Sequence, residues 1–137
     1  MKIAFVFLIL IFLINAPGLY YQWYLDFWWF DVLLHFLGGF FIAMFFAAYL
    51  DDHIKGESKL KNTLIIVGAA MFIGVVWEFA EYIANQTLVE PFYEYFRVRA
   101  YFMGDLNDTV NDLTMDMLGA FLFAWSHLLR RGKTHQP

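Results

Sequence analysis

The sequence predicts an all-α integral membrane protein with four transmembrane helices joined by short interfacial segments. Of the 137 residues, 61% are hydrophobic and 22% aromatic, whereas only 16% are charged, which is unlike an ordinary soluble domain. Several apolar runs also approach the ~20 residues that a helix needs to cross a bilayer. We therefore expect a single membrane domain over 1–137, with transmembrane helices at about 3–21, 30–50, 63–85 and 107–129.

The first apolar run covers residues 3–14, after Lys2 and before Pro17. One interpretation is a cleaved signal peptide, since a basic residue before a short apolar core is typical of that segment. The residues that follow do not form the small-residue pair of a cleavage site, so we favour a retained helix that continues past a proline kink. The next stretch, 20–30, is dense in Trp, Tyr and Phe, which indicates an interfacial belt and a short helix in the membrane plane.

Helices two and three each carry polar residues at helical spacing. In helix two, Asp31 and His35 lie four residues apart and so share one face. In helix three, Glu78 and Glu81 lie three residues apart near its end. Both helices also carry small residues that allow a neighbouring helix to approach closely, namely Gly38, Gly39, Ala70 and Gly74. The mixed, aromatic segment 86–103 is predicted to be interfacial rather than another span.

The fourth predicted helix carries a stripe of carboxylates into an apolar segment. Its aspartates follow one another at steps of three, four and four residues, which keeps all of them on one narrow helix face. They are Asp105, Asp108, Asp112 and Asp116. A carboxylate at the centre of a membrane helix costs roughly 2.5–3.5 kcal/mol on insertion scales, so the stripe needs compensating partners.

The distribution of basic residues predicts the orientation. With four spans, the amino terminus, the polar loop at 51–62 and the carboxyl tail share one side of the membrane. That side carries seven basic residues against two on the other, so the positive-inside rule places both termini in the cytoplasm and the protein in the cytoplasmic (inner) membrane. The seven are Lys2, Lys55, Lys59, Lys61, Arg130, Arg131 and Lys133, and the two are Arg97 and Arg99.

This topology brings the polar groups of three helices to the extracytoplasmic half of the membrane. Asp105 and Asp108 have a plain explanation as caps of a helix amino terminus, and Asp31 has the same one in helix two. The position of Glu81 needs no further explanation if its side chain reaches the membrane–water interface. The remaining groups have no such explanation, and we predict that they form one shared site: His35, Glu78, Asp112 and Asp116.

Two kinds of partner could neutralise these carboxylates. Arg97 and Arg99 lie on the same side and could pair with them, or could instead hold a lipid phosphate, which suits the arginine fork. A divalent cation is the other candidate, and one imidazole among carboxylates suits Zn, Mn, Fe, Mg or Ca. The metal ligands that we predict are His35, Glu78, Asp112, Asp116 and Asp31.

Three motifs resemble those of a known family. They are D-x-x-x-H-F-x-G-G from Asp31, W-E-x-x-E from Trp77, and G-D-x-x-D-T-x-x-D-x-x-x-D-x-x-G-A from Gly104. Over residues 31–120 the chain is similar to small bacterial inner-membrane proteins of the YjdF type and, more distantly, to VanZ-like proteins. The resemblance implies a four-helix membrane protein with an outward polar site. It implies no substrate, because YjdF-type proteins are largely of unknown function and VanZ-like proteins are associated only with glycopeptide tolerance.

Three functions are consistent with these observations. We favour a site that binds a divalent cation and, through it, a phosphate-bearing lipid or cell-envelope precursor. Metal-assisted hydrolysis is an extension of that function, with Glu81 or Asp108 as the base. The second is a proton- or ion-coupled transporter, which the apolar inner halves of the helices disfavour. The third is a non-catalytic assembly or stress protein, in which the carboxylates hold the bundle together and Asp112→Asn and Asp116→Asn are tolerated.

Composition also limits the partners. We expect membrane lipids and a lipid-linked or envelope substrate, while homo-oligomerisation is left open. A nucleic-acid partner is not expected, because the net charge is −4. The chain has no cysteine, which excludes disulfides and thiolate metal sites.

Overall fold

The computed structural model describes residues 1–54 and 58–133, without the side chains of 130–133. Lys55, counted above, lies outside the described residues, as do the side chains of Arg130, Arg131 and Lys133. The described chain contains helices and no strand, which confirms the all-α class. The helices are α1 (Lys2–Tyr20), α2 (Trp23–Asp26), α3 (Trp28–Tyr49), α4 (Lys59–Thr87), α5 (Val89–Phe96) and α6 (Leu106–Lys133).

Three of the described helices, α1, α3 and α4, are long and apolar enough to cross a membrane. They correspond to the first three predicted spans, and α1 continues through Pro17 without ending there. With 28 residues, α6 is also long enough, but its aspartates lower its hydropathy, so the fourth span stays a prediction. Between α4 and α6 lies only the eight-residue α5, which is too short to cross, as predicted.

Two of the long helices begin with a side-chain cap. The Ser58 hydroxyl accepts a hydrogen bond from the Lys61 backbone N–H at 3.3 Å at the start of α4. Before α6, Asp105 Oδ1 accepts from the backbone N–H groups of Asn107 at 2.8 Å and Asp108 at 3.1 Å. These bonds satisfy donors that the first helical turn leaves unpaired. The capping explanation is therefore confirmed for Asp105.

The long helices form a bundle in which α3 packs most extensively on α6, and α4 packs on both. Helix α1 contacts α3 at the edge of the bundle. The end of the bundle where α1 ends and α3 and α6 begin is called here the aromatic end, and the opposite one the basic end. An apolar core fills the bundle toward the basic end, formed by Ala43, Ala47, Ile54, Ile66, Ala70, Ala120, Phe123 and Ala124.

Glycines bring α3 and α6 into backbone contact beside the polar residues. A Cβ atom added to Gly39 would overlap the backbone of Asp116, and one added to Gly119 would overlap the backbone carbonyl of Phe36. The close approach predicted for Gly39 is thus confirmed. By contrast, a Cβ at Gly38 would make only an ordinary contact of 3.7 Å with Asp116 Oδ1. This close packing fixes the height of α6 against α3.

We expect Gly119→Ala to destabilise the bundle, because the added methyl group would push the α3 backbone away. Overpacking of this kind costs about 1–3 kcal/mol. Gly68→Ala is the matched control, because a Cβ there meets nothing within 4 Å and alanine is favoured over glycine in a helix by about 1 kcal/mol. Thermal unfolding in detergent should show a lower melting temperature for Gly119→Ala and an equal or higher one for Gly68→Ala. Equal melting temperatures for both variants would contradict the contact.

Candidate functional site

Buried polar side chains gather at one level of the bundle, between α3, α4 and α6. Five polar residues in the described chain are buried, and one of them, Asn62, donates to the Ile54 carbonyl in the basic half. The other four are His35, Glu78, Asp112 and Asp116, the residues predicted to share a site. Their burial follows the predicted stripe, since α6 places Asp112 and Asp116 inside the bundle, about two and three turns below its first residue.

His35 lies at the centre of this cluster, between carboxylates from two helices. Its Nε2 atom is 3.6 Å from Asp31 Oδ1 on the same helix. Its Nδ1 atom is 3.5 Å from Asp116 Oδ2 on α6. Asp31 therefore does not act as a cap, and α3 has no side-chain cap hydrogen bond. The imidazole bridges α3 and α6 instead.

Several carboxylate oxygens in the cluster lack a hydrogen-bond donor. Both Glu78 oxygens and Asp112 Oδ1 are buried without a partner in the described part of the chain. The Thr109 hydroxyl lies beside Glu78, but the two side chains do not form a hydrogen bond of good geometry. Glu78 is only 7% exposed and Asp112 only 2%. Burying such oxygens without a donor is costly.

The ligand atoms form two groups that share the imidazole. In one, a nitrogen of His35 and oxygens of Asp31 and Asp112 all lie within 4.8 Å of one another. In the other, His35 is grouped in the same way with Glu78 and Glu81. Tetrahedral ligands of a zinc ion, bonded at about 2.0–2.2 Å, are roughly 3.3–3.6 Å apart, so the side chains of either group would have to move inward to bind one.

The two predicted bases occupy different positions. Glu81 Oε1 accepts a hydrogen bond from Trp77 Nε1 at 2.8 Å, and Glu81 also lines a cavity beside the cluster. Asp108 lies in the first turn of α6 and is partly exposed. It belongs to neither ligand group. The structure therefore brings Glu81, but not Asp108, into the cluster.

The two predicted phosphate-binding residues lie apart from the cluster. Arg97 and Arg99 line a separate pocket at the aromatic end, with Tyr20, Tyr21 and Tyr93. The Arg99 guanidinium lies over the Tyr93 ring, 5.6 Å from its centroid. Within the described residues, the ion pairs of the cluster join carboxylates to His35 and not to either arginine. Arginine pairing thus does not neutralise the buried carboxylates.

A cavity of about 120 Å³ adjoins the cluster between α1, α3 and α4. The polar part of its wall is formed by Asn15, Asp31, His35, Glu81 and Asp116. The rest of the lining is largely apolar, including Leu8, Ile11, Phe12, Ile42 and Ile73. Such a cavity has room for several water molecules or for part of a ligand. The carboxylates and the imidazole are therefore accessible from one side.

Tyr24 is hydrogen-bonded to Asn15, one of the residues that line this cavity. Its hydroxyl donates a hydrogen bond to Asn15 Oδ1, which links α2 to α1. Burial raises the pKa of Tyr24, and the nearby carboxylates of Asp31 and Glu81 raise it further, so the hydroxyl stays a donor. The sequence analysis assigned Tyr24 only to the aromatic belt. The polar Asn15 inside an apolar helix was the signal that could have indicated a buried partner.

Gly74 is a second residue whose contribution to the site was not predicted. A Cβ atom there would stand 2.5 Å from Asp116 Oδ2, so glycine leaves the space that this carboxylate occupies beside His35. The sequence analysis treated Gly74 only as a helix-packing residue. Its distance from Asp116 depends on how α4 packs on α6, which no local sequence pattern encodes.

Comparisons with known proteins agree with a membrane location. Residues 1–133 match a family described as "Predicted membrane protein (DUF2238)". This family corresponds to the YjdF-type proteins, whereas the more distant VanZ-like resemblance stays a prediction. An uncharacterized protein of Thermotoga maritima is 29% identical over 115 residues, which cover 83% of this chain and 55% of that relative. The chain thus spans about half the length of this relative. No solved structure matches the chain.

Proposed function

We propose that this chain, which belongs to the DUF2238 family of predicted membrane proteins, binds a divalent cation in its buried cluster. The observation that carries this proposal is the set of partnerless oxygens of Glu78 and Asp112 beside His35. Ionisable groups inside membrane helices usually face the bundle interior and pair with one another or mark an ion pathway. Here carboxylates outnumber the single imidazole, and a divalent cation supplies the missing positive charge.

The geometry suggests a role for each residue. The proposed ligands of the cation are, first, the Nε2 atom of His35 and the carboxylates of Asp31 and Asp112. Asp116 faces the opposite ring nitrogen, Nδ1, where a carboxylate typically orients a metal-bound histidine. Asp116 is thus proposed as a positioning residue. Glu78 and Glu81 have ligand atoms within 4.8 Å of a His35 nitrogen and of each other, and they are proposed as the remaining ligands.

An imidazole with carboxylates suits a hard or borderline cation, and Zn, Mn, Fe, Mg and Ca all remain candidates. A bound cation would polarise a phosphate oxygen or activate water. Glu81 lines the cavity and is the better placed of the two predicted bases for hydrolysis of a lipid or envelope precursor. The separate pocket of Arg97 and Arg99 is proposed to hold an interfacial lipid phosphate.

The apolar core on the basic side of the cluster favours one-sided access over transport across the membrane. It is built from small and apolar side chains of α3, α4 and α6, including Ala47, Ile66 and Phe123. A proton path normally requires a chain of ionisable groups across the bilayer. With the predicted orientation, the cluster would face the extracytoplasmic half of the inner membrane.

Elemental mass spectrometry on detergent-purified protein tests this proposal. We expect a stoichiometric divalent metal in the wild-type protein, and its loss from Asp112→Asn and Glu78→Gln, which keep the side-chain shape. Asp105→Asn is the matched control, because Asp105 caps α6 outside the cluster and asparagine also caps well. Unchanged metal content in the cluster variants would refute the site. Absence of metal after dialysis against each candidate cation would refute it as well.

A further inference from the structure

The cavity beside the cluster lies between residues of α1 and α4, two helices that do not pack closely on each other. Leu8, Ile11 and Phe12 of α1 line one wall, and Ile73 and Trp77 of α4 line the other. Helix α1 packs on α3 rather than on α4. An edge-to-face pair of Phe12 and Trp77, with ring centroids 6.3 Å apart, spans the gap. Near the aromatic end, by contrast, α1 is joined to α2 by the hydrogen bond from Tyr24 to Asn15.

In a membrane, a gap between these two helices would face the bilayer. Both flanking helices are among those long and apolar enough to cross a membrane. Phe12 is 63% exposed on the bundle surface, and such an apolar ring beside the opening fits a lipid environment. A water-soluble ligand would have to pass apolar side chains to reach the cluster, which disfavours it. The cavity therefore suits a molecule with a polar group for the cluster and an apolar tail for the gap.

We propose that the ligand of the cluster is a phosphate-bearing membrane lipid that enters between α1 and α4. This inference rests on the proposed cation, because the carboxylates alone would repel a phosphate. With the cation bound, phosphate oxygens complete its coordination, as hard and borderline cations prefer oxygen ligands. The acyl chain then lies along the apolar wall formed by Leu8, Ile42 and Ile73. Cation binding must precede lipid binding.

Photo-crosslinking in vesicles tests this route. The protein is placed in phosphatidylcholine vesicles that contain a trace of phosphatidylglycerol with a diazirine in one acyl chain. We expect saturable cross-links to residues of the cavity wall, mapped by peptide mass spectrometry. They should fall by about tenfold when the divalent cation is removed with a chelator, because the phosphate loses its partner. Chelation should leave cross-links to the exposed Phe72 and Phe79 unchanged.

Two variants should obstruct the proposed path of the lipid into the cavity. Leu8→Trp and Ile73→Trp place an indole ring in the cavity wall from opposite helices. The control is Leu13→Trp, which makes the same exchange on α1 at a position that is 57% exposed. We expect both path variants to keep stoichiometric metal and to lose cavity cross-links by about tenfold. Leu13→Trp should keep both the stoichiometric metal and the cavity cross-links.

The outcomes separate the two proposals. If the path variants keep the metal and cross-link as strongly as Leu13→Trp, the lipid route is wrong while the cation site stands. Cavity cross-links that persist in the presence of the chelator would also overturn the lipid proposal. If the wild-type protein binds no metal, the cation site fails, and the lipid inference fails with it. Retained metal in Leu8→Trp or Ile73→Trp also shows that the variant is folded.

Discussion

The affinity for a divalent cation falls about a hundredfold in His35→Ala, the largest loss that we expect from a single substitution in the cluster. His35 is the residue common to both candidate ligand groups, so its removal disrupts either arrangement. It also supplies the only nitrogen ligand of the two groups. Asp116→Asn should cost less, about tenfold, because Asp116 orients the imidazole at Nδ1.

Isothermal titration of the metal-free protein with Mn²⁺ and Zn²⁺ measures these affinities. His53→Ala is the matched control, because His53 is exposed near the basic end and belongs to neither ligand group. It should bind like the wild-type protein. Equal affinities for His35→Ala and His53→Ala would show that the cation, if bound, lies elsewhere. An Asp116→Asn loss as large as that of His35→Ala would make Asp116 a direct ligand.

The membership of the cluster could be predicted from the sequence because helical spacing and depth together determine it. The four-residue step from Asp112 to Asp116 keeps both side chains on one face of α6. Glu78 lies near the end of a helix that runs toward the same side of the bundle. Neither argument requires knowledge of how the helices pack. For this reason the four residues that were predicted to share a site are all buried in the structure.

Other features depend on packing and backbone conformations that periodicity does not encode. Asp31 was interpreted as a cap, but α3 begins at Trp28, so Asp31 lies beyond the cap position and faces His35. Arg97 ends α5 in a left-handed conformation, with φ of 60°, which helical periodicity does not predict. Both arginines lie in their own pocket. The arginines and the carboxylates were predicted on the same side of the membrane, but this was not sufficient to predict a contact between them.

The transmembrane helices illustrate the same limit. Hydropathy alone predicted α1, α3 and α4, because their apolar runs contain few charges. The same measure is ambiguous for α6, whose first half carries the aspartates of the cluster. Its packing on α3 and α4 buries these residues in a way that a hydropathy scale cannot represent. The ambiguous helix is thus one of the two that each contribute two carboxylates to the candidate site.

Most mutations destabilise a protein, but we expect Asp112→Asn to stabilise this one when no cation is bound. In the cation-free protein, the variant should unfold at a higher temperature than the wild type. The reason is that Asp112 is a buried carboxylate with a partnerless oxygen near other carboxylates. An amide of the same shape removes the charge and supplies donors to its neighbours. The buried carboxylate of Asp112 therefore lowers the stability of the cation-free protein, although cation binding requires it.

When the cation is added, the wild type should unfold at a higher temperature than Asp112→Asn. A ligand at about 100 times its dissociation constant stabilises the folded state by about 2.7 kcal/mol, and only the wild type can gain this. Thermal unfolding in detergent, with chelator and then with excess cation, measures both states. Asp105→Asn should show the full wild-type response, because it keeps the α6 cap and lies outside the cluster. If neither protein responds to any cation and Asp112→Asn is simply tolerated, the carboxylates have a structural role. A cation response that survives in Asp112→Asn would remove Asp112 from the ligand set.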